Sequence, residues 1–404
     1  KRRIKMYNHM KKVFQGLEGG LFSSVEKADV GDSYQKLGEQ GVSLMGWADP
    51  FFPDYCIPRH ILDAATLAIS SNMSTHYTAP VGNDLLKIEI AKKLKEVNNL
   101  DVDFKRNILI TPGSDSGLYY SMLPFINEGD EVLIPTPCYP NNIQNTKLMG
   151  GVPIFVELKE SDGYQIDITE FEKRLTNKTK LVVLTHPNNP TTTIFNKESL
   201  EKLAKFIIDN DLILICDQAF EDFTFENELI TPASLEGMFE RTVTIFSTSK
   251  GMGLSGFRVA YMVCSDKLMD KYYGAAVTVL GATNTVAQMS TIEAFKDRSF
   301  MEDFERVFDK RRQEAYKIIN EIPNVSMQMP ESGFLGWINV SKLGTSSEIQ
   351  KYLVDEAKVC INDGINYGPG GEGHLRIILG SYKDDSKVIG ALNRIKDALI
   401  KKQQ

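Results

Sequence analysis

The sequence predicts an α/β fold, a large domain with a mostly parallel seven-stranded sheet covered by helices, joined to a smaller α+β domain. Three observations carry this expectation. Short apolar, β-branched runs recur along the chain, most of them without polar alternation, as strands buried on both faces require. The segments between them, such as residues 84–97 and 197–209, space apolar residues three and four apart among Lys and Glu, the pattern of an amphipathic crossover helix. After about residue 300 the texture changes to one long charged helical stretch and a few isolated strands.

In chain order, the first 40 residues are polar and irregular and read as an arm or surface helices outside the sheet. Seven strands are expected at residues 108–111, 132–134, 154–156, 181–184, 212–216, 243–246 and 259–263. A helix over 301–322 then leads to strand-like 334–340, Gly-rich 366–373 and strand-like 375–379. The division expected is 1–60 as N-terminal arm and part of the small domain, 61–300 as the large domain and 301–404 as the small C-terminal domain.

Composition narrows the function. With 42% hydrophobic and 25% charged residues the chain can bury a sizeable core and carries no bias toward disorder. A net charge of −7, with no Arg/Lys block inside the body, argues against nucleic acid as a partner. The cluster Lys1, Arg2, Arg3 and Lys5 reads as a solvated terminus. Cys56, Cys138, Cys216, Cys264 and Cys360 lie far apart with no CxxC pair, against a disulfide framework or a zinc site and in favour of a reducing, cytoplasmic setting. No run of 18 apolar residues and no charged-then-apolar leader is present, so neither a membrane span nor a secretory signal is expected.

The chemistry concentrates at strand ends. In Ile110-Thr111-Pro112-Gly113-Ser114-Asp115-Ser116-Gly117 a buried strand ends, a Gly-bearing turn follows and a helix begins near Asp115. Such a junction aims free N–H groups and the positive helix end at one spot where a phosphate can bind, and it is equally a Ser- or Asp-capped helix. The segment from Phe246 to Arg258 sets one lysine, Lys250, among Ser247, Thr248, Ser249 and Ser255, with Arg258 eight residues on. A Schiff-base lysine needs a dry neighbourhood and cationic company to depress its pKa, and hydroxyls with an arginine suit a phosphate dianion. A flexible loop with surface charges is the plainer alternative. Asp217 follows five apolar residues and so belongs at the carboxyl edge of a buried strand, where open α/β sheets bind ligands. There it can keep a heterocyclic nitrogen protonated, or cap the next helix; Asn188-Asn189-Pro190 likewise suits a site or a turn.

The ordered series Tyr77…Gly82, Gly113-Ser114, Pro135-Thr136-Pro137-Cys138-Tyr139, Pro187-Asn188-Asn189-Pro190, Asp217, Ser247-Thr248-Ser249-Lys250…Arg258 and Arg376 resembles the class I/II aminotransferases, fold-type I pyridoxal-phosphate enzymes. The likeness covers nearly the whole chain beyond residue 40. It implies pyridoxal 5′-phosphate as cofactor, an amino acid and a 2-oxo acid as substrates, a ping-pong mechanism and a homodimer with shared active sites. Lys250 would carry the Schiff base and shuttle the proton, Asp217 would partner the pyridine nitrogen, Asn189 would donate to the ring O3′ and Tyr139 would stack on the ring. The Ser114 and Asp115 amides, Ser247, Ser249 and Arg258 would hold the phosphate, joined by Tyr77 from the neighbouring subunit. Arg376 matches the clamp for the substrate α-carboxylate, a task its planar fork suits.

Several positions depart from that pattern. Phe220 stands where many members carry a tyrosine that bonds O3′. Asp115 sets a carboxylate beside the phosphate, and Asn362-Asp363-Gly364 replaces a Pro-Gly in what reads as a loop. Gly46 and Trp47 fall in the segment bordering the substrate, with Trp47 either lining the pocket or buried in the core. Trp47-Ala48-Asp49 is also similar to the cystathionine β-lyase-like branch, which keeps a carbon–sulfur β-lyase as the alternative activity. A non-catalytic regulatory domain that binds the cofactor is a third reading, disfavoured by the presence of Lys250 and Arg376. No arginine lies between Val259 and Phe295, so one subgroup's reader of a side-chain carboxylate is not visible.

Overall fold

The computed structural model describes residues 10–15, 17 and 32–404; the Lys1, Arg2, Arg3 and Lys5 cluster and most of the expected N-terminal arm lie outside the described residues. After the short β1 (Ser43–Leu44), the strands β2 (Ile108–Thr111), β3 (Glu131–Thr136), β4 (Val152–Glu157), β5 (Thr179–Thr185), β6 (Ile213–Asp217), β7 (Thr242–Ser247) and β8 (Ala260–Val263) follow in sequence. The last seven form one sheet in the order β2-β8-β7-β6-β5-β3-β4. Five of them pair in parallel, and β8 runs antiparallel to both β2 and β7. All seven expected strands are present.

Alternation along each strand divides the core. Leu133, Val182, Leu184, Leu214 and Cys216 pack on one face against Leu200, Leu203, Phe206 and Ile207 of helix Lys197–Asp209, which is capped by Asn196 accepting from Ser199 N–H at 2.9 Å. Val132, Ile134, Leu181, Val183, Ile215, Val243 and Ile245 face the other way, onto helices Ser114–Met122 and Asp266–Val279. Helices thus cover both faces, as the continuous apolar strands demand.

A second, four-stranded sheet joins β9 (Ser326–Met327), β10 (Leu335–Asn339), β12 (Asn362–Asp363) and β13 (His374–Ile378) in the order β12-β13-β10-β9, all antiparallel. Its core draws Ile319 from helix Phe300–Asn320 and Leu392 and Ile395 from helix Asp385–Lys402 onto Ile338, Leu375 and Ile377. β11 (Val359–Cys360) pairs in parallel with β1. Helix Asp32–Glu39 is more than surface decoration: it seats Tyr34, wholly buried, among Val42, Leu44 and Cys360.

Candidate active site

β2 ends at Thr111, and the chain turns through Gly113, at φ 89°, into helix Ser114–Met122. A Cβ at Gly113 would lie 2.1 Å from Arg258 Nη2, so the turn must be glycine for the guanidinium to lie against it. Arg258 itself adopts φ 54°, a left-handed conformation uncommon outside glycine, and its Nη1 donates to Ser255 O at 2.9 Å. The Ser114 and Arg258 motifs, far apart in sequence, therefore meet at one helix N-terminus. At the end of β7, Ser249 N–H donates to Ser247 Oγ at 3.1 Å, while Ser249 Oγ is buried without a protein partner. Leaving such a group unpaired costs roughly 1–3 kcal/mol, which a bound acceptor would recover. A helix N-terminus, a guanidinium and an orphan hydroxyl together fit a phosphate dianion. The Asp115 carboxylate is engaged sideways, accepting from the Tyr139 hydroxyl and from Asn141 Nδ2, each at 2.8 Å. Burial, then the Asp115 charge, pushes the Tyr139 phenol well up, so the ring is held neutral.

Asp217 ends β6, in register with Thr185 of β5 and Ile245 of β7, and is buried. Its Oδ1 accepts from Ala219 N–H at 3.1 Å, yet burial raises its carboxyl to about 7. A carboxylate paired so sparsely suits a protonated ring nitrogen. Lys250 lies three residues beyond β7; its Nζ donates to Ala48 O and sits 5.6 Å from the Phe220 ring centroid. Burial and then the Arg376 cation lower its pKa to about 8, with Arg258 contributing less. The expected dry and cationic neighbourhood is present, and Arg376 supplies more of the charge than Arg258.

Arg376, in the middle of β13, is buried and makes four hydrogen bonds through its three nitrogens. Nη1 donates to Asn189 Oδ1 (3.0 Å), Nη2 to Gly46 O (3.0 Å) and to Asn362 Oδ1 (2.6 Å), and Nε to Asn362 Oδ1 (3.1 Å). The guanidinium lies 5.1 Å from the Tyr367 ring centroid. Gly46 and Trp47 N–H both donate to Tyr34 Oη, at 3.1 and 3.0 Å, which fixes the segment carrying Gly46 O. Trp47 is a rim residue and not core: it is 43% exposed, edge-on to Tyr34 and Phe52 at 5.4 Å each. Phe220 is buried against Phe334, with ring centroids 5.5 Å apart.

Two differences from the sequence reading stand out. Asn362 is not a loop residue: it lies on β12, in register with Arg376, and accepts two of its hydrogen bonds. Tyr34 also belongs to the site, and no pattern in the sequence marks it; Ala48 O lies in the segment expected to border the substrate, but nothing in the sequence signals its contact with Lys250. Tyr77 does not join the cluster; it is 96% exposed.

A mostly parallel sheet whose strand ends bring together a desolvated lysine, a buried carboxylate and an anion cradle, joined by a buried arginine from the second sheet, defines a pyridoxal-phosphate-type α/β enzyme. The family profile "Aminotransferase class I and II" matches residues 50–395. The chain is 31% identical over 358 residues to an aspartate aminotransferase of Pyrococcus abyssi, spanning 87% of this chain and 90% of the relative. It is 30% identical to aromatic-amino-acid aminotransferase 2 of Thermococcus litoralis, over 91% of this chain and 94% of that one. The crystal structure of an aromatic aminotransferase from Pyrococcus horikoshii superposes with a TM-score of 0.85 at 28% identity, covering 91% of this chain and 99% of that one. The chain belongs to the class I and II aminotransferases, and is a pyridoxal-phosphate-dependent enzyme of fold type I. When bound, the cofactor supplies the electron sink that makes the substrate Cα–H acidic.

Proposed function

We propose that Lys250 holds the cofactor as a Schiff base, that Asp217 partners its ring nitrogen and Asn189 its O3′, and that Tyr139 covers its face. Ser114, Asp115 (through its amide), Ser247, Ser249 and Arg258 bind the phosphate, and Arg376 receives the substrate α-carboxylate beside Gly46 and Trp47. The observation that carries this assignment is geometric: Lys250 follows β7 next to the β6 end that holds Asp217, with the Ser247–Ser249 and Arg258–Gly113 cradle in the same segment and Arg376 bonded to Asn189. Arg376 and Asn189 orient the amino acid, and the Lys250 amine, freed by exchange, takes the proton from its Cα. The relatives' names make aspartate and aromatic amino acids the first donors to try.

A homodimer is supported by the exposed apolar side chains that precede Tyr77 in the chain, Leu67, Ile69 and Met73, together with Tyr77 itself. A second copy there would bring Tyr77 to the partner's phosphate cradle. The proposed division at residues 60 and 300 is supported by the separation of the seven-stranded and four-stranded sheets and by the pairing of β1 with β11. Among the described residues no helix is long and apolar enough to cross a membrane, and the free thiols of Cys56, Cys138, Cys216 and Cys264 support a cytoplasmic setting.

The test is incubation with single amino acids and no keto acid. Stoichiometric pyridoxamine phosphate with one equivalent of 2-oxo acid is expected. Catalytic pyruvate and ammonia from cysteine-like substrates would instead establish the β-lyase activity.

A further inference from the structure

The site contains an arginine whose charge is left uncancelled although every side of it is held. A guanidinium offers five N–H donors in a rigid fork. The Nε and Nη2 edge of Arg376 is taken by one atom, Asn362 Oδ1, at 3.1 and 2.6 Å. The sheet sets this pairing, because Asn362 and Arg376 face each other across β12 and β13. The amide is also wedged: a Cβ on Gly46 would approach its Nδ2 to 3.2 Å. The two other buried arginines of this part of the chain are treated differently. Arg311 Nε is bonded to Asp385 at 2.8 Å, and Arg312 is paired with Glu226 at 2.9 Å and with Asp309 at 2.8 Å. Among the described residues Arg376 has no carboxylate within ion-pair distance.

We infer that Asn362 is a positioning residue that occupies the side edge of Arg376 with a neutral acceptor, leaving the guanidinium's charge and its Nη1/Nη2 end to the substrate carboxylate. At that end the internal acceptors are also neutral, Asn189 Oδ1 and Gly46 O, and an incoming carboxylate outcompetes them because charge-assisted hydrogen bonds are roughly twice as strong. An aspartate at position 362 would keep both hydrogen bonds and the side chain's shape while spending the charge internally.

This inference rests on the proposed role of Arg376, and the experiment separates the two. Asn362→Asp, Asn362→Thr and Arg376→Ala holoenzymes are titrated with 2-aminoisobutyrate, which carries the α-carboxylate and α-amine but no Cα–H. Steady-state kinetics use the amino acid that reacts fastest with the parent enzyme. For Asn362→Asp the Kd and KM should rise about tenfold or more, with kcat changed much less. The pKa seen in the visible absorbance of the lysine-bound cofactor should rise too, because the Arg376 cation that depresses it is neutralised. Asn362→Thr, still a neutral acceptor, should stay within a few-fold of the parent. Parent-like binding and absorbance pKa in a folded Asn362→Asp enzyme would overturn the inference, as would an equal defect in Asn362→Thr. Retention of probe binding by Arg376→Ala would instead refute the role of Arg376 itself.

Discussion

Among the described residues, buried and half-buried cations are held in two ways. Arg311, Arg312 and Lys93 serve packing: each is closed by a carboxylate, Asp385, Glu226 with Asp309, and Glu221 respectively. Lys250, just beyond β7, and Arg376, in the middle of β13, are held by neutral oxygens, those of Ala48, Gly46, Asn189 and Asn362. A buried ion pair has spent its charge locally, whereas a cation held by amide oxygens keeps its charge available to a ligand. Pairing with a neutral or an ionised acceptor thus separates Arg376, proposed to meet the substrate, from Arg311 and Arg312, which brace the fold, although all three are buried.

Truncating one member of each group should break the comparison most visibly. Arg376→Ala is expected to lower kcat/KM by about 10²- to 10³-fold, as loss of a buried charged contact to substrate does, with little change in the denaturation midpoint. Arg311→Ala should do the reverse. It leaves Asp385 with Lys310 as its remaining cation and takes the donor from the buried carbonyls of Leu379, Ser381 and Tyr382, and should cost on the order of 3 kcal/mol in denaturant unfolding while kcat/KM of the folded fraction holds. Equal effects of both variants on stability would erase the distinction.

Asp217 sharpens the same contrast from the acidic side. Its carboxyl, raised by burial from 3.8 to about 7, makes the folded cofactor-free protein bind a proton more tightly than the unfolded chain. Its ionisation therefore removes stability progressively as pH rises from about 4 to about 7, and no further above that. Cofactor-free Asp217→Asn should be more stable than the parent at pH 8, with the gap closing toward pH 4; thermal melts at the two pH values measure it. A gap that widens on acidification would contradict the sign.

Much of this was legible in the sequence. Continuous apolar runs announce buried strands, so all seven strands of the large sheet and the placement of Asp217 at an edge followed from local pattern. Ser247, Ser249, Lys250 and Arg258 were legible because one segment carries them all. Asn362 was not: its role depends on register with Arg376 across two antiparallel strands, and β12 is only two residues long, too short to show a period. Tyr34 was hidden for a related reason. It is one aromatic in a polar stretch, and only the folded chain brings its hydroxyl to the Gly46 and Trp47 amides. The antiparallel insertion of β8 between β2 and β7 is likewise a long-range choice that strand composition does not encode.

The smallest expected effect concerns Phe220, whose ring leaves O3′ without the hydroxyl donor found in many relatives. Phe220→Tyr should lower the pKa of the lysine-bound cofactor by about one unit, since a donor to the charged form favours it. Lys250 Nζ lies 5.6 Å from the ring centroid, so the added hydroxyl is expected to reach the site. An unchanged or higher absorbance pKa would show that it does not.

The central claim is that Lys250, and not another buried lysine such as Lys93, carries the cofactor. Borohydride reduction of the holoenzyme followed by proteolysis and mass spectrometry tests it directly. The phosphopyridoxyl mass is predicted on the peptide containing Lys250 at close to one equivalent per chain, and should be absent from Lys250→Ala. The adduct on Lys93 or any other lysine, with Lys250 unmodified, would contradict the account.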